Sequence, residues 1–260
     1  MAPPRKRRRA PTNPIEAANR KSDADFIRDH LQPSPEWTNW THPKSGTSYT
    51  LSLKSPAQLA QSELKACFDL IDYTSGADYR ASKDGWRPAH KMREMKSEGL
   101  RYILVKKSGS SSAPDAATAG NDESEVCGNA AEDKICGFTS LMPTFEEGEA
   151  VVYCYEIHLL EELRGTGVGR TLMDYLVKVA ESIPIIEKVM LTCFIANADA
   201  RAFYEKLGFE IDALSPVERK LRFGKVFVPD YVIMSKRVRD KKKGEGKEDL
   251  DEGGAVNEDA

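Results

Sequence analysis

A glycine-rich turn between an apolar strand and an amphipathic helix is the feature that most constrains the fold of this chain. Residues 151–160, VVYCYEIHLL, are rich in β-branched and aromatic side chains and have the length of a buried strand. The segment 164–170, RGTGVGR, follows, and Leu172, Leu176 and Val179 then recur at helical spacing. Glycines at such a junction let the backbone approach a ligand, and the first amides of a helix are unpaired donors at the positive end of its dipole. The pattern therefore predicts an anion site, most naturally for a pyrophosphate.

The loop differs from two other phosphate-binding patterns. A Walker loop would end in Gly-Lys-Ser/Thr, and a dinucleotide fingerprint would need a glycine where this chain has Arg170. The remaining pattern, R-x-x-G-x-G from Arg164 to Gly169, resembles the coenzyme A pyrophosphate loop of the GNAT superfamily of N-acetyltransferases. This resemblance implies acetyl-CoA as co-substrate. The positions that it assigns to cofactor binding are Ile157, His158, Leu159, Arg164, Gly165, Thr166, Gly167, Val168, Gly169 and Arg170.

A second segment, downstream of the loop, has a matching pattern. Residues 188–194, KVMLTCF, are typical of a strand, and Asn197 precedes a helical run closed by Gly208. The pattern N-x-x-A-x-x-F-Y-x-x-x-G-F resembles the GNAT segment in which an Asn and a Tyr, here Asn197 and Tyr204, flank the thioester end of the cofactor. The two resemblances together predict an α/β GNAT fold, a mixed central sheet flanked by helices.

Composition divides the chain into a domain and two charged ends. The 260 residues are 40% hydrophobic, enough to bury a full core, and the net charge is −3. We expect a basic, largely disordered arm over residues 1–24, a GNAT domain over 25–238 and a charged, acidic-ended disordered tail over 239–260. Within the domain, the Ser-, Ala- and Gly-rich segment 108–133 predicts a flexible insertion.

The sequence also predicts that several features are absent. It has no run of 18 apolar residues and no apolar N-terminal segment, so we expect neither a membrane span nor a signal peptide, and an intracellular location. Five scattered cysteines fit reduced thiols, and the four histidines show no ligand spacing with them, so we expect no metal. We expect a monomer.

The basic run Arg5–Arg9 has three interpretations. It would serve as a nuclear localisation signal, as an arm that binds phosphate or acidic protein, or as a solvating tail. We predict a nuclear and cytoplasmic location, with nucleosomal DNA as a candidate partner of this arm.

Weaker patterns place the remaining elements. Residues 56–71 predict a first helix with Ser55 as cap, followed by a polar loop over 72–87. Residues 15–31 predict one or two helical pieces, and strands are expected over 100–105 and 135–141. Residues 225–236 predict a strand pair that ends the sheet.

A closer resemblance, to the N-alpha-acetyltransferase D (NatD) family, rests on four segments. These are 153–156 (YCYE), 189–192 (VMLT), 209–212 (FEID) followed by Ser-Pro, and 17–20 (AANR). The NatD family acetylates the N-terminal α-amine of histones H-four and H-two-A, whose tails begin Ser-Gly-Arg-Gly. The resemblance implies that histone tails are the substrate and that Glu156 is the general base. The substrate-binding positions that it implies are Tyr79, Glu146, Tyr153, Tyr155, Thr192 and Tyr231.

Two positions depart from that family pattern. Thr144 stands where a second acid is expected, and Asp84 stands where a Trp is expected. Glu147 or Glu149 is a candidate to replace the missing acid that would hold the substrate arginine.

Strand geometry predicts the surroundings of Glu156 and the direction of its pKa shift. Alternation places Val152, Cys154 and Glu156 on one face of the strand unless a bulge intervenes, and apolar neighbours are expected to raise the pKa of a carboxyl group. The alternative is a solvated Glu at the sheet edge. Tyr204 or Tyr231 is the expected general acid for the departing thiolate, and the sequence does not choose between them.

Two other functions stay open at the level of sequence. A lysine or small-amine acetyltransferase would have the same fold, and a blocked α-amine would leave its turnover intact. A non-enzymatic chromatin or nucleic-acid binder would show no acetyl-CoA binding and strongly salt-dependent DNA binding.

Overall fold

A computed structural model describes residues 13–107, 134–220 and 222–239. The basic run Arg5–Arg9, the predicted insertion over 108–133 and all of the predicted tail except residue 239 lie outside the described residues. Within the described part of the chain, no helix is both long and apolar enough to cross a membrane.

An eight-stranded mixed sheet forms the centre of the molecule, in the order β1-β2-β3-β4-β5-β6-β10-β7. All neighbouring strands are antiparallel except β5 and β6, which run parallel. The strands of this sheet are β1 Asn39–Thr41, β2 Ser48–Lys54, β3 Arg101–Lys107, β4 Ile135–Glu146, β5 Glu149–Leu159, β6 Lys188–Phe194, β7 Glu210–Ile211 and β10 Tyr231–Arg237. The predicted strands over 100–105, 135–141, 151–160 and 188–194 are confirmed, because their apolar runs are long enough to span a buried sheet.

Helices cover both faces of this sheet. The α-helices of the described ranges are α1 Pro14–Asn19, α2 Asp23–Phe26, α3 Gln61–Ala81, α4 Pro88–Glu94, α5 Val168–Ser182 and α6 Ala198–Lys206. On one face, α5 buries Leu172, Leu176 and Val179, the stripe that the sequence predicts. On the other face, α3 packs Cys67 and Ile71 against β3 and β4. A core therefore lies on each side of the sheet.

The N-terminal helices belong to the domain, which corrects the predicted boundary at residue 25. In α1, Ile15 and Ala18 are buried in the core that α5 covers. The guanidinium of Arg101, only 2% exposed, donates to the carbonyl of Lys21 over 2.6 Å and lies 4.1 Å from the ring of Phe26. One or two helical pieces were predicted over 15–31, and the structure has two: α1, and α2 followed by a π-helical turn, Ile27–Leu31. The apolar side chains of this charged segment therefore pack it against the domain.

Helix α3 begins later and ends later than the sequence predicts. Pro56 opens only a short 3-10 turn, Pro56–Gln58, and the chain is extended at Leu59 before α3 starts at Gln61. The side chain of Glu63 accepts a hydrogen bond from the backbone N–H of Ala60, which fixes the later start. Since α3 continues to Ala81, most of the predicted loop over 72–87 is helical.

The predicted strand pair over 225–236 is wrong in its pairing. Strand β9, Val226–Phe227, pairs with β8, Arg219–Lys220, in a separate two-stranded sheet. Only β10 joins the main sheet, where it pairs with β6 from Tyr231 to Arg237. The proline at 229 lacks the N–H that a continuous strand would donate, so the chain leaves the sheet there.

Candidate active site

Strands β5 and β6 separate at the middle of the sheet. Their parallel pairing runs from Val151 with Lys188 to Cys154 with Leu191 and stops there. Beyond Cys154, the edge of β5 that faces away from β4 has no partner strand among the described residues. A cavity of about 770 Å³ occupies this gap and continues between the ends of α3, α4 and β10. The gap leaves backbone N–H and C=O groups of β5 free to bind an extended ligand.

A bulge at Tyr155 decides where Glu156 points. Ser140 of β4 lies opposite Glu156 and Leu141 lies opposite Cys154, so Tyr155 has no partner in the register. Cys154 therefore packs in the core under α5, whereas Glu156 contacts α3 and α4 on the other face. The bulge that the sequence analysis allowed for is present, so Cys154 and Glu156 do not share a face, because an extra residue in a strand reverses the alternation.

The carboxylate of Glu156 lies in a hydrogen-bonded ionic cluster. Its Oε1 accepts from Lys91 Nζ of α4 at 2.8 Å and from the hydroxyl of Tyr79 at 3.3 Å, and its Oε2 lies 2.6 Å from His158 Nε2. Burial raises the pKa of Glu156, but the hydrogen bonds and charges of His158 and Lys91 more than offset it and lower this pKa to about 2. The predicted rise is therefore wrong, because these partners outweigh the apolar surroundings. Glu156 is buried and ionised, which also excludes the solvated edge position.

The predicted pyrophosphate loop has the geometry of an anion site. Gly165 and Gly167 have φ angles of +69° and +96°, which residues with side chains rarely adopt. The loop leads into the N-terminus of α5, a 15-residue helix. Gly169 packs against Leu159 and Phe203, where an added Cβ would lie 3.3 Å from both. Arg164 and Arg170 are exposed at the two ends of the loop, where each adds a positive charge.

The cofactor positions predicted from the sequence fall into two groups. Ile157, His158, Asn197 and Tyr204 line the cavity, whereas Leu159 and residues 164–170 lie outside its lining. The loop follows β5 after a short 3-10 turn, Glu161–Leu163, beyond the open end of the gap. The side chain of His158 is engaged with Glu156, so only its backbone is available to a cofactor.

Asn197 and Tyr204 are fixed by α6. The Asn197 side chain accepts a hydrogen bond from the backbone N–H of Ala200 at 3.1 Å and so caps this helix. Tyr204, about two turns further along the helix, is buried at the cavity wall, and this burial raises its pKa well above the ordinary value. A phenol with a raised pKa keeps its proton at neutral pH.

All six predicted substrate positions lie on the cavity wall. They are Tyr79, Glu146, Tyr153, Tyr155, Thr192 and Tyr231. The rings of Tyr153 and Tyr155 are 5.2 Å apart, and the Tyr153 hydroxyl lies 2.5 Å from that of Thr192. Burial and the neighbouring Glu147 raise the pKa of Glu146.

Tyr79 lies on α3 and not in the predicted loop. Its ring packs edge-on against Phe194 and contacts Trp86, at centroid distances of 5.0 and 5.1 Å. Trp86 is a cavity residue that sequence reasoning missed as a site residue, although a Trp within a polar segment was the signal that could have found it. It lies two positions after Asp84, where a Trp was expected.

Neither of the predicted replacements for the missing acid, Glu147 and Glu149, lines the cavity. Glu149 is paired with the buried Lys188, and Glu147 sits at φ +47° in the turn between β4 and β5, outside the cavity lining. Three other acids line the cavity instead: Asp84, Glu94 and Asp230. They come from the segments after α3, in α4 and before β10, which converge only in the folded chain.

Residues 91–209 match the sequence model of the acetyltransferase (GNAT) family. The curated N-alpha-acetyltransferase 40 of Saccharomyces cerevisiae is 32% identical over 170 residues, which are 56% of this chain and 51% of that protein. The chain thus spans about half the length of this relative.

Two solved structures are also similar. Arabidopsis thaliana NAA60, crystallised with a bisubstrate analogue, is 12% identical with a TM-score of 0.47 and aligns over 73% of this chain and 100% of that one. An acetyltransferase from Streptococcus agalactiae is 14% identical with a TM-score of 0.48, over 72% and 98% of the two chains. The predicted α/β GNAT fold is confirmed. Among the described residues, no group of three or more His, Cys, Asp or Glu side chains could hold a metal ion.

Proposed function

Since this chain has the GNAT fold and matches that acetyltransferase family over residues 91–209, we propose that it transfers an acetyl group from acetyl-CoA to the N-terminal α-amine of a protein. Histone tails that begin Ser-Gly-Arg-Gly are the proposed substrates. The observation that carries the proposal is the placement of Glu156 and an aromatic, acidic cavity at the open gap between β5 and β6.

The residues beside the gap fit acetyl-CoA. The unpaired edge of β5 would bind the extended pantetheine arm, and the loop 164–170 with the first amides of α5 would bind the pyrophosphate. The bound cofactor supplies an activated acetyl thioester. Tyr204, buried at the wall of the gap, would donate a proton to the departing thiolate.

The substrate amine needs only a modest acceptor for its proton. An α-amine with a pKa of about 7.8 is roughly a quarter unprotonated at pH 7.4, whereas a lysine is only about 0.1% free. Glu156 stays ionised beside Lys91 and His158, so it would attract and orient the ammonium group. An amine delivered in this way attacks the thioester carbonyl, which a backbone amide of β5 would polarise.

The cavity suits a small residue followed by a basic one. Tyr153 and Tyr155 form a narrow aromatic wall, which favours the Ser-Gly start of the tail. Burial raises the pKa of Glu146, which means that its ionised form is destabilised. A guanidinium of the substrate would stabilise that ionised form. The yeast relative's name, N-alpha-acetyltransferase 40, supports the choice of an α-amine over a lysine.

A peptide assay tests this proposal. A Ser-Gly-Arg-Gly-Lys peptide, with its α-amine free or blocked, would be incubated with the full chain and acetyl-CoA, and mass spectrometry would locate the acetyl group. We expect acetylation of the free N-terminus alone. We expect Glu156→Gln to lower kcat about 100-fold, because the amine loses its charged partner. Glu181→Gln, an exposed acid on α5, should leave kcat unchanged.

Two results would redirect the proposal. Acetylation of the lysine in the blocked peptide would favour a lysine acetyltransferase of the same fold. Transfer to neither peptide, with acetyl-CoA still bound, would reject the Ser-Gly-Arg-Gly substrate and leave the cofactor assignment standing.

A further inference from the structure

A lysine of the chain itself lies in the ionic cluster at the wall of the cavity. Lys91 Nζ is 2.8 Å from Glu156 Oε1 and 2.9 Å from Glu94 Oε1, and it lies 5.0 Å from the centre of the Tyr79 ring. Lys91 and Glu156 both line the cavity, and each is only 8% exposed. A positive charge is therefore buried beside the carboxylate to which we assign the substrate amine.

The surroundings of Lys91 hold it in its charged form. Burial lowers the pKa of Lys91, but its ionic contacts, that with Glu156 first, more than offset burial and raise this pKa above the ordinary value. An ammonium group has three N–H donors, and Glu156 and Glu94 accept two of them. Lys91 and Glu156 thus form a buried ion pair in which the two charges compensate each other.

A carboxylate without such a partner would be a poor site for an amine that has to react. A negative charge nearby raises the pKa of an amine, because it favours the ammonium form. An ammonium nitrogen has no free electron pair, so it cannot attack a thioester. A site that contained Glu156 alone would therefore bind the substrate firmly in its unreactive form.

The position of Lys91 counteracts this effect. Oε2 of Glu156 lies 2.6 Å from His158 Nε2, and since a carboxylate oxygen has about two acceptor positions, one stays available to an amine. An amine bonded there would lie at most about 8 Å from Lys91 Nζ, because both nitrogens contact one carboxylate. At an effective dielectric constant of about 20, a positive charge at that distance lowers the pKa of the amine by roughly one unit or more.

We propose that Lys91 is a positioning residue that balances the charge of the amine site, so that Glu156 orients the substrate amine without trapping it as ammonium. The inference rests on the proposed transfer to an α-amine. An N–H bond of the ammonium breaks, the electron pair stays on nitrogen, and the proton passes to water in the cavity. The nitrogen–carbon bond then forms as the carbon–sulfur bond breaks. Nitrogen loses its second proton to water, and Tyr204 protonates the sulfur.

Other titratable groups also face Lys91 and Glu156. They are Tyr79 of α3, Glu94 of α4, Tyr102 of β3, Cys154 and His158 of β5 and Tyr204 of α6. Burial raises the pKa of each of these tyrosines and of the cysteine, so these four side chains are uncharged at neutral pH. The side chain of Glu94 is 27% exposed, so water screens its charge more than that of Glu156.

The pH dependence of kcat in the wild-type full chain is the first test. This profile reports the groups that titrate in the enzyme–substrate complex. A free N-terminal amine has a pKa of about 7.8, and we expect kcat for the Ser-Gly-Arg-Gly-Lys peptide to reach half its maximum at or below that pH. A midpoint one unit or more above 7.8 would indicate a trapped ammonium and would overturn the inference.

Substitution of Lys91 tests the origin of the effect. Lys91→Met removes the charge and keeps most of the length of the side chain. We expect the midpoint to rise by about one pH unit, so that kcat falls about tenfold at pH 7 and largely recovers at pH 9. The KM for the peptide should not rise, because the uncompensated carboxylate holds the ammonium more tightly. A merely structural role of Lys91 would not give a loss that higher pH reverses.

Two control variants accompany this substitution. Lys91→Arg keeps the charge and should keep the wild-type midpoint. Lys178→Met makes the same change as Lys91→Met at an exposed lysine of α5 and should leave the profile unchanged. A midpoint that does not move in a folded Lys91→Met variant would overturn the inference. Thermal unfolding and acetyl-CoA binding show whether this variant is folded, and the wild-type profile decides if it is not.

A less basic substrate separates titration of the amine from titration of Glu156. Lys91→Met would also raise the pKa of Glu156, because His158 and Lys91 together offset the burial of this carboxylate. A peptide that begins with β-cyanoalanine has a less basic amine, since the nitrile withdraws electrons. With this peptide, Lys91→Met should retain the wild-type kcat at pH 7. A tenfold loss that persists would assign the titration to Glu156 and would overturn the inference.

Failure of the proposed function would look different. A wild-type chain that acetylates no α-amine would reject the proposed function, and the inference with it. A wild-type chain that acetylates the peptide, but with a midpoint well above 7.8, would reject the role of Lys91 alone.

Discussion

Tyr204 and Tyr231 reach the same cavity from different elements. Tyr204 lies on α6 and is buried, and this burial raises its pKa well above 10. Tyr231 lies at the first residue of β10, opposite Phe194, and is half-buried. Tyr204 is the proposed general acid because its phenol is buried at the cavity wall.

Tyrosine to phenylalanine variants distinguish the two residues. We expect Tyr204→Phe to lower kcat about 100-fold with the KM for acetyl-CoA little changed, because the ring still packs while its proton is lost. Tyr231→Phe should change mainly the KM for the peptide. Steady-state kinetics of both variants would decide, and a larger loss of kcat in Tyr231→Phe would reverse the assignment.

At the residue scale, the sequence predicted which residues line the cavity better than it predicted the partners of their side chains. Glu156 was identified from the YCYE segment, and it does line the cavity. The direction of its pKa shift was wrong because Lys91, 65 residues earlier in the chain, reaches it only in the folded protein. His158 was assigned to the cofactor, since nothing in the sequence shows that a bulge turns its ring toward Glu156 and Thr74.

At the scale of elements, Glu63 joins the start of α3 to the sheet. Its Oε1 lies 2.8 Å from Lys54 Nζ of β2 and 2.7 Å from Lys106 Nζ of β3, while Oε2 accepts from Ala60 N–H at 2.8 Å. Burial raises the pKa of Glu63, but the hydrogen bonds from Lys106, Lys54 and Ala60 outweigh it and lower this pKa to about 2. The side chain is only 10% exposed, so water screens these contacts weakly.

We therefore expect Glu63→Gln to lower the free energy of unfolding at pH 7 by about 1–3 kcal/mol. The folded pKa lies below the ordinary value of 4.5, so the stabilisation is complete above pH 4.5 and is lost as the pH falls toward about 2. Urea unfolding of wild type and variant at pH 7 and at pH 3 measures this difference. The difference in the free energy of unfolding between wild type and variant should be smaller at pH 3 than at pH 7. A larger difference at pH 3 would contradict a stabilisation by ionised Glu63.

Asp69→Asn is the matched control on the same helix. Asp69 pairs with Lys65 at 2.5 Å, but the two side chains are 56% and 71% exposed. Exposed pairs of this kind contribute little to stability. The control variant should have the same free energy of unfolding as wild type at both pH values.

Elements with a strong hydrophobic period were predicted well, and those set by tertiary contacts were not. The stripe of α5 and the apolar run of β6 need no partner to be recognised. The late start of α3 depends on Glu63, which accepts from Ala60 N–H and is also held by Lys54 of β2 and Lys106 of β3. The pairing of β9 with β8, and not with β10, is likewise a choice between partners that local sequence does not encode.

At the scale of the whole molecule, the site forms where the two halves of the sheet part. Strands β1 to β5 are antiparallel neighbours, and β6 with β10 and β7 continues the sheet beyond the parallel pair. The bulge in β5 and the end of its pairing at Cys154 lie at this junction. The position of Glu156 therefore depends on the bulge, and the cavity depends on the end of the β5–β6 pairing. The sequence predicted the loop and the strand, but the gap itself follows from a register that only the fold shows.

Binding of coenzyme A to the full chain is the most direct test of this account, because every proposed step depends on it. Isothermal titration of acetyl-CoA into the wild-type protein should give one site. Arg170→Glu, beside the loop at the start of α5, should weaken this binding about tenfold, which is about 1.4 kcal/mol. Lys178→Glu makes the same charge change on an exposed residue two turns further along α5 and should not alter it. Saturable binding that is weakened by Arg170→Glu alone is the predicted result, and a wild-type protein that binds no acetyl-CoA would contradict the account.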